Sequence, residues 1–370
     1  MSCENVVFFA LLSAGLWERA VSLGAYGPLD YDELLRLGEE QSVLGLVTAG
    51  LEQVVDTQVA KKDVVPLLQR VIAVENRNSA MNEFVASLFK RLQDAGIQAV
   101  LVKGQGIAQC YARPQWRSPG DVDLLLDGAD YERAKELLLP GAESVDTEFS
   151  YLKHIGIRIG DWDVELHGNQ RTRLSRRIDR RLDIIQTAMF LRGDFRKWET
   201  GGVTMPLPPV DYDVVFVFCH ILHHFFMEGI GLRQICDWCR LLWTFRDSLD
   251  VTMLEFRLRK MRLLSEWKAF AAYAVEYLGM PAEAMPLYDA SAYWSRKADR
   301  INDFVLEVGN FGHNRDLDDL SGKPYWVRKL SRAFLRLNDT LRHLALFPLD
   351  ALKFSVHIIL TGLHAAARGE

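Results

Sequence analysis

An α+β fold is predicted for this chain: a small mixed sheet with its own helices, set between helical additions on both sides in sequence. Three observations predict it. Apolar residues recur at helical spacing through residues 1–95. Between about 96 and 205 the pattern changes to short runs rich in β-branched residues, alternating with helical segments. From about 206 to the end, helical spacing returns. At 370 residues, with 49% hydrophobic and 25% charged residues, the chain can bury two or three packed units. The expected divisions are a helical region at 1–95, a sheet-containing core at 96–205 and a helical domain at 206–370.

In chain order, residues 6–17 form an apolar run that reads as a buried helix. Glu4 precedes it, and it has neither a basic leader nor a clear small-residue cleavage site. Segments 11–24, 31–54 and 64–96 have helical spacing, and Gly96 is placed to end the last as a cap. The runs 97–103 and 121–127 read as strands, with helices at 104–112 and 129–139, giving the order strand, helix, strand, helix. Two further strands are expected at 149–159 and 162–167, joined by the turn-prone Gly160-Asp161. After the proline-rich 205–211, helices are expected near 211–228, 231–247, 250–279, 290–309, 324–346 and 349–367. The apolar stretch 344–367 is interrupted by Asp350, Lys353, His357 and His364, so no membrane span is expected.

The net charge of −5 argues against a generic nucleic-acid coat, which normally shows as a basic domain. Five cysteines, an odd number in a large chain, suit reduced thiols and a cytoplasmic setting better than a disulfide framework.

The chemistry centres on Asp121 and Asp123. Alternate residues of a strand share a face, so the two carboxylates point one way while Val122 and Leu124 point to the core. Such a pair repels itself unless a cation lies between, and hard oxygen ligands favour Mg²⁺ or Mn²⁺ over zinc. Glu165 is the candidate third acid that would complete a two-metal clamp, with Asp163, on the same face, as reserve. On pattern alone, a solvated strand edge or turn also accounts for the pair.

The segment LVKGQGIAQCYARPQWRSPGDVDLLL (101–126) resembles the polymerase-β-like nucleotidyltransferase superfamily, whose signature is a strand, a glycine-containing turn opening a helix, and an Asp-hydrophobic-Asp strand. It is most similar to a bacterial family in which Lys-Gly replaces the usual Gly-Ser, an arginine precedes the acids, and Glu-Leu-His carries the third acid. Here these are Lys103-Gly104, Arg117, Asp121-Val122-Asp123 and Glu165-Leu166-His167. The resemblance covers about 95–170 closely, and the later HILHHFFMEGIGLRQICDWCRLL is similar to the family's helical segment. It implies Asp121, Asp123 and Glu165 as catalytic metal ligands, and Lys103, Gly104, Arg117 and His167 as nucleotide-binding residues. It further implies His220, Arg233 and Asp237 as cleft residues, Mg²⁺ or Mn²⁺ as cofactor, and an NTP, ATP first, as donor.

Physical roles fit these residues. Gly104 permits close backbone approach at a strand-to-helix turn, where helix amides can bind phosphate. Lys103 could supply a point charge and Arg117 a bidentate one, although both could equally neutralise nearby acids.

Other signals have plainer readings. Arg173, Arg177 and Arg181 share a helical face, with Arg176 and Arg180 beside it; a solvated face paired to acids explains them as well as a nucleotide guide does. Cys219, His220, His223, His224, Cys236 and Cys239 invite a zinc reading, but both segments read as helix without zinc-knuckle spacing, so buried thiols and core histidines are expected. Tyr111, Trp116 and Trp162 could stack on a base, though packing is the ordinary role. The expected function is metal-dependent transfer of an NMP from an NTP to an unidentified acceptor hydroxyl or similar group, releasing pyrophosphate, with a nucleic-acid end the least expected acceptor. The alternative is a non-catalytic nucleotide- or partner-binding module on the same fold, including one half of a toxin–antitoxin pair.

Overall fold

A computed structural model describes residues 3–57, 59–227, 229–309 and 338–366, with side chains as far as residue 362. Four helices come first: α1 (Cys3–Trp17), α2 (Tyr31–Glu40), α3 (Leu44–Leu51) and α4 (Lys61–Asp94). α1 is apolar and mostly buried, and lies earlier than the expected 11–24. The helix expected over 31–54 is instead two, broken at 41–43, where Ser42 has φ +56°. The physical reason is tertiary. Buried Gln41 accepts from the Leu232 backbone N–H and donates to the Val305 carbonyl, and its own carbonyl accepts from Arg233 N–H. α4 is 34 residues, about 50 Å long. It ends as the glycine predicts: Gly96 takes φ +63°, and Gly96 and Ile97 N–H bond back to Gln93 and Leu92 carbonyls.

The five-stranded sheet contains β1 (Ala99–Val102), β2 (Val122–Leu126), β3 (Ser144–Val145), β4 (His154–Ile159) and β5 (Trp162–His167), in the order β1-β2-β5-β4-β3. It is mixed: β2 and β5 are parallel, and every other neighbouring pair is antiparallel. α5 (Gly104–Ala108) and α6 (Gly128–Leu138) follow β1 and β2. The strand expected over 149–159 begins only at His154. Residues 149–153 form a turn, with Phe149 bridged to His154, and the short β3 was not anticipated.

Alternation along the strands separates two apolar environments. Ala99, Leu101, Val122, Leu124, Leu126, Val164 and Leu166 pack with α4 and α6 residues. Val100, Val102 and Leu125 face the larger core formed with the helical regions. After α7 (Arg176–Arg192), a second sheet pairs β6 (Arg196–Thr200) with β7 (Val203–Leu207) around Gly201-Gly202. The proline-rich segment is therefore partly strand. Pro206 is tolerated because a two-stranded ribbon has free edges, and Met205 and Leu207 fill the sheet's core.

The carboxy-terminal helices are α8 (Val210–Met227), α9 (Leu232–Thr244), α10 (Val251–Met261), α11 (Leu264–Glu276), α12 (Ala292–Val308) and Pro348–Ala366. The single helix expected over 250–279 breaks at Arg262, which takes the left-handed conformation, φ +63°. Most of the helix expected at 324–346 lies outside the described residues. Among the described residues, α8 is long and apolar enough to cross a membrane by length and composition, with 67% of it buried inside the protein.

Candidate active site

β2 and β5 run parallel with Asp123 opposite Glu165. Period-2 alternation puts both on the face away from Val122, Val164 and Leu166, and Asp121 precedes β2 on the same face. Carboxylate oxygens of Asp121, Asp123 and Glu165 all lie within 4.8 Å of one another. Asp163, the reserve choice, stands outside this group, with its side chain 67% exposed and its carboxylate held by Arg158 at 2.7 Å.

Crowding three acids has an electrostatic cost that is visible at Asp121. Its carboxyl is pushed up to about 6, first by the charge of Asp123, then by burial and by Glu165. Lys103 opposes this, with Nζ 2.5 Å from Asp123 Oδ1. Burial lowers the Lys103 ammonium, but the charges of Asp123, Glu165 and Asp121 outweigh burial and raise it. Strict alternation would send Lys103 to the same face as Ala99 and Leu101. A backbone twist prevents this: Lys103 takes φ 57°, ψ −147°, a region natural only for glycine, and Gly104 follows with φ +37°. A Cβ on Gly104 would make only an ordinary contact, 3.4 Å from the Asp121 carbonyl, so it is the positive φ of the turn carrying the lysine across to the acids that favours glycine here.

Two imidazoles complete the acid cluster. His167 Nε2 lies 2.9 Å from Asp123 Oδ1 and 3.3 Å from Glu165 Oε2. His154 Nε2 lies 3.3 Å from the same Glu165 oxygen. Burial alone would raise the Glu165 carboxyl; the His154 and His167 rings and the Lys103 charge outweigh burial and hold it well below the usual carboxylate range. His167 is raised, because contact with Asp123 and Glu165 outweighs the burial that lowers it.

The acids border a cleft of about 540 Å³, a size suited to one small-molecule ligand. Its far wall comes from α8 and α9, bearing His220 and Arg233. Burial, then the Lys103 charge, drives His220 well below the ordinary histidine value; its Nε2 lies 3.1 Å from His224 Nε2. Arg233 donates to the Ser118 and Pro119 carbonyls at 3.2 and 2.9 Å, and its Nε is buried with no hydrogen-bond partner. Burial and the charge of Arg117 lower its pKa.

Arg117 is placed differently from the expected bidentate phosphate ligand. Its Nε and Nη2 both donate to the Asp237 carboxylate at 2.8 Å, and Tyr111 adds its hydroxyl at 2.7 Å. The expected helix-terminal phosphate site is also weak, since α5 has only five residues. What Arg117 and Asp237 do is tie the loop before Asp121 to α9. From the other side buried Asn78, on α4, donates to the Gln115 and Arg117 carbonyls at 2.8 Å. A Cβ at Gly45 would meet the Trp116 carbonyl at 2.0 Å, so α3 packs directly on the same loop.

The arginine stripe does not survive as one face. α7 begins at Arg176, capped by Ser175, and Arg173 lies before it with φ +61°. Arg173 lines the cleft, and its Nε donates to Thr361 Oγ1 at 3.3 Å; Arg176, Arg177 and Arg180 are exposed. Cys219, Cys236 and Cys239 are buried, and burial pushes their thiols up. Among the described residues, the groups placed to share an ion are the three acids and a second set of His154, Glu165 and His167. Trp162 stacks on Phe84 and Trp116 under Arg113, so both are packing aromatics. Sequence reasoning missed Asn78 and His154. A buried polar residue on an otherwise amphipathic helix was the available signal for Asn78; His154 carried none, because only strand pairing brings it to Glu165.

A family model described as an uncharacterised nucleotidyltransferase matches residues 27–279, more than half of the chain. No curated protein and no solved structure matches it.

Proposed function

The chain belongs to this nucleotidyltransferase family, and from that premise we propose that it moves a nucleoside monophosphate from an NTP to an acceptor hydroxyl or similar group, releasing pyrophosphate. The observation that carries the reading is the convergence of Asp121, Asp123 and Glu165 within 4.8 Å on one sheet face, beside a cleft sized for one ligand. These residues fit a divalent metal: their oxygens are hard donors, and the raised Asp121 carboxyl records a repulsion that a cation relieves. Asp121 and Asp123 would hold it, with Glu165 on the side of the attacking group. When bound, Mg²⁺ or Mn²⁺ supplies charge to the departing pyrophosphate and acidifies the acceptor hydroxyl.

The chain's own groups supply the rest. Glu165, kept ionised by its histidine neighbours, is suited to hold the metal on the side of the attacking group, where a carboxylate held this low serves better as a ligand than as a base. Lys103 is close enough to Asp123 to turn towards a phosphate oxygen once the acid has another partner. Arg233, with a buried Nε lacking a partner, offers a second phosphate contact. Arg117, Asp237 and Asn78 position the loop that delivers Asp121. ATP is the first donor to test, and the acceptor is a small molecule or protein side chain before a nucleic-acid end, given the acidic net charge.

The test is pyrophosphate release from NTPs with Mg²⁺ or Mn²⁺ across an acceptor screen. Turnover should vanish in Asp121→Asn and in Asp123→Asn while circular dichroism stays that of the parent. Undiminished turnover in both variants would end this assignment. A non-catalytic module would bind NTP without metal dependence in calorimetry and release no pyrophosphate.

A further inference from the structure

Glu165 is approached by two imidazoles, those of His154 and His167. His154 on β4 is the register partner of His167 on β5, so both rings stand on the acid-bearing face. They stack with centroids 4.8 Å apart and planes 28° from parallel. Both Nε2 atoms lie 3.3 Å from Glu165 Oε2, and the ligand atoms of the three residues all fall within 4.8 Å of one another. Around a tetrahedral ion with bonds of about 2.1 Å, neighbouring ligand atoms stand roughly 3.4 Å apart. The two 3.3 Å spacings match that edge.

A hydrogen-bonded brace for Glu165 is the simpler role for two histidines, and one atom argues against it. His154 Nε2 is buried and satisfied by no hydrogen bond, its nearest acid being Glu165 Oε2 at the ion-pair distance of 3.3 Å. A buried ring nitrogen aimed at a carboxylate beside a second such nitrogen is the donor arrangement of a transition-metal ligand set.

We propose that His154, His167 and Glu165 form a second metal site, selective for a first-row transition ion, Zn²⁺ or Mn²⁺, over Mg²⁺. It shares only Glu165 with the three-carboxylate group. Imidazole nitrogen suits these borderline ions, whereas Mg²⁺ prefers oxygen and sheds water reluctantly. His167 Nε2 lies against both Asp123 and Glu165, at 2.9 and 3.3 Å, so the face grades from the carboxylates of Asp121 and Asp123 to the nitrogen-rich donors at His167 and His154. This goes beyond nucleotidyl transfer, and its test needs no nucleotide.

The full chain, stripped with chelator, is titrated with Zn²⁺ alone and with Zn²⁺ against excess Mg²⁺. One equivalent of Zn²⁺ should bind and resist Mg²⁺. His154→Gln should weaken it by more than about 100-fold, beyond the ~10–100-fold typical of losing an outer-sphere partner. Asp121→Asn should leave Zn²⁺ affinity unchanged. Pulsed EPR of the Mn²⁺-loaded parent protein should show nitrogen coupling to the ion, a readout that does not depend on any variant folding. Parent-like Zn²⁺ affinity in His154→Gln, ready displacement by Mg²⁺, or Mn²⁺ without nitrogen coupling would each overturn the site. Loss of NTP turnover in the assays above has no bearing on this titration, so the two proposals fail separately.

Discussion

Removing the Asp237 carboxylate should destabilise the protein more than any surface ion pair would, because the pair it belongs to is buried. The Arg117 and Asp237 side chains are each only 6% exposed. In Asp237→Ala the guanidinium loses two hydrogen bonds, both 2.8 Å, and Tyr111 loses a third. Charge-assisted hydrogen bonds contribute about 1.5–3 kcal/mol each, and breaking a buried pair from one side costs about 3–5 kcal/mol. The two routes agree on a loss near 4 kcal/mol, about 5 °C in Tm for a chain of 370 residues. The larger part is the stranded charge rather than the lost attraction. Arg117→Met combined with Asp237→Leu should therefore recover more than half of that loss. Urea and thermal denaturation of the two single variants and the double variant measure this directly. A loss under about 1 kcal/mol in Asp237→Ala, or a double variant as unstable as the sum of the singles, would refute the buried-pair reasoning. NTP turnover in the stable double variant then tests whether the clamp also positions Asp121.

Two further predictions concern the acids' neighbourhood. In metal-free protein the Asp121 carboxyl sits at about 6 against an ordinary 3.8, so the folded state holds the proton more tightly than the unfolded chain. The resulting stability is present below the ordinary value and is lost as pH rises through 6, by roughly 3 kcal/mol. Asp121→Asn should accordingly melt higher than the parent at pH 8 in chelator and match it near pH 4; a lower melting temperature at pH 8 would contradict the repulsion. At Lys103, φ 57° and ψ −147° strain any residue with a Cβ by about 1–3 kcal/mol. Lys103→Gly should thus be more stable than Lys103→Ala by about 1 kcal/mol or more, with NTP affinity reduced in both; equal stability would mean that the strained backbone is absent.

Much of the core was legible because it depends on neighbours in sequence. The alternation that places Asp121 and Asp123 on one face of β2, and Glu165 and His167 on one face of β5, follows from the strand period alone. Gly96 ending α4 is likewise a local preference. The failures have two other causes. The β6–β7 ribbon was hidden because Arg196–Thr200 has little apolar alternation and Val203–Leu207 carries a proline. The break at Gln41 reflects hydrogen bonds to residues about 190 and 260 positions away, which no window of sequence contains.

The sequence by itself determined the fold class, the positions of β1, β2 and β5, and which acids could share a face, because these depend on backbone period and on the polarity of adjacent residues. Only the tertiary structure decided which of those faces meet. The parallel pairing of β2 with β5 sets Asp123 opposite Glu165, and the pairing of β4 with β5 brings His154 to His167. Packing of α9 against the loop before β2 turned Arg117 to Asp237 and left Arg233 at the cleft. Strand order and helix docking are settled by burial summed over the whole chain, so the partner of a buried charge is a property of the packed molecule and not of its own segment.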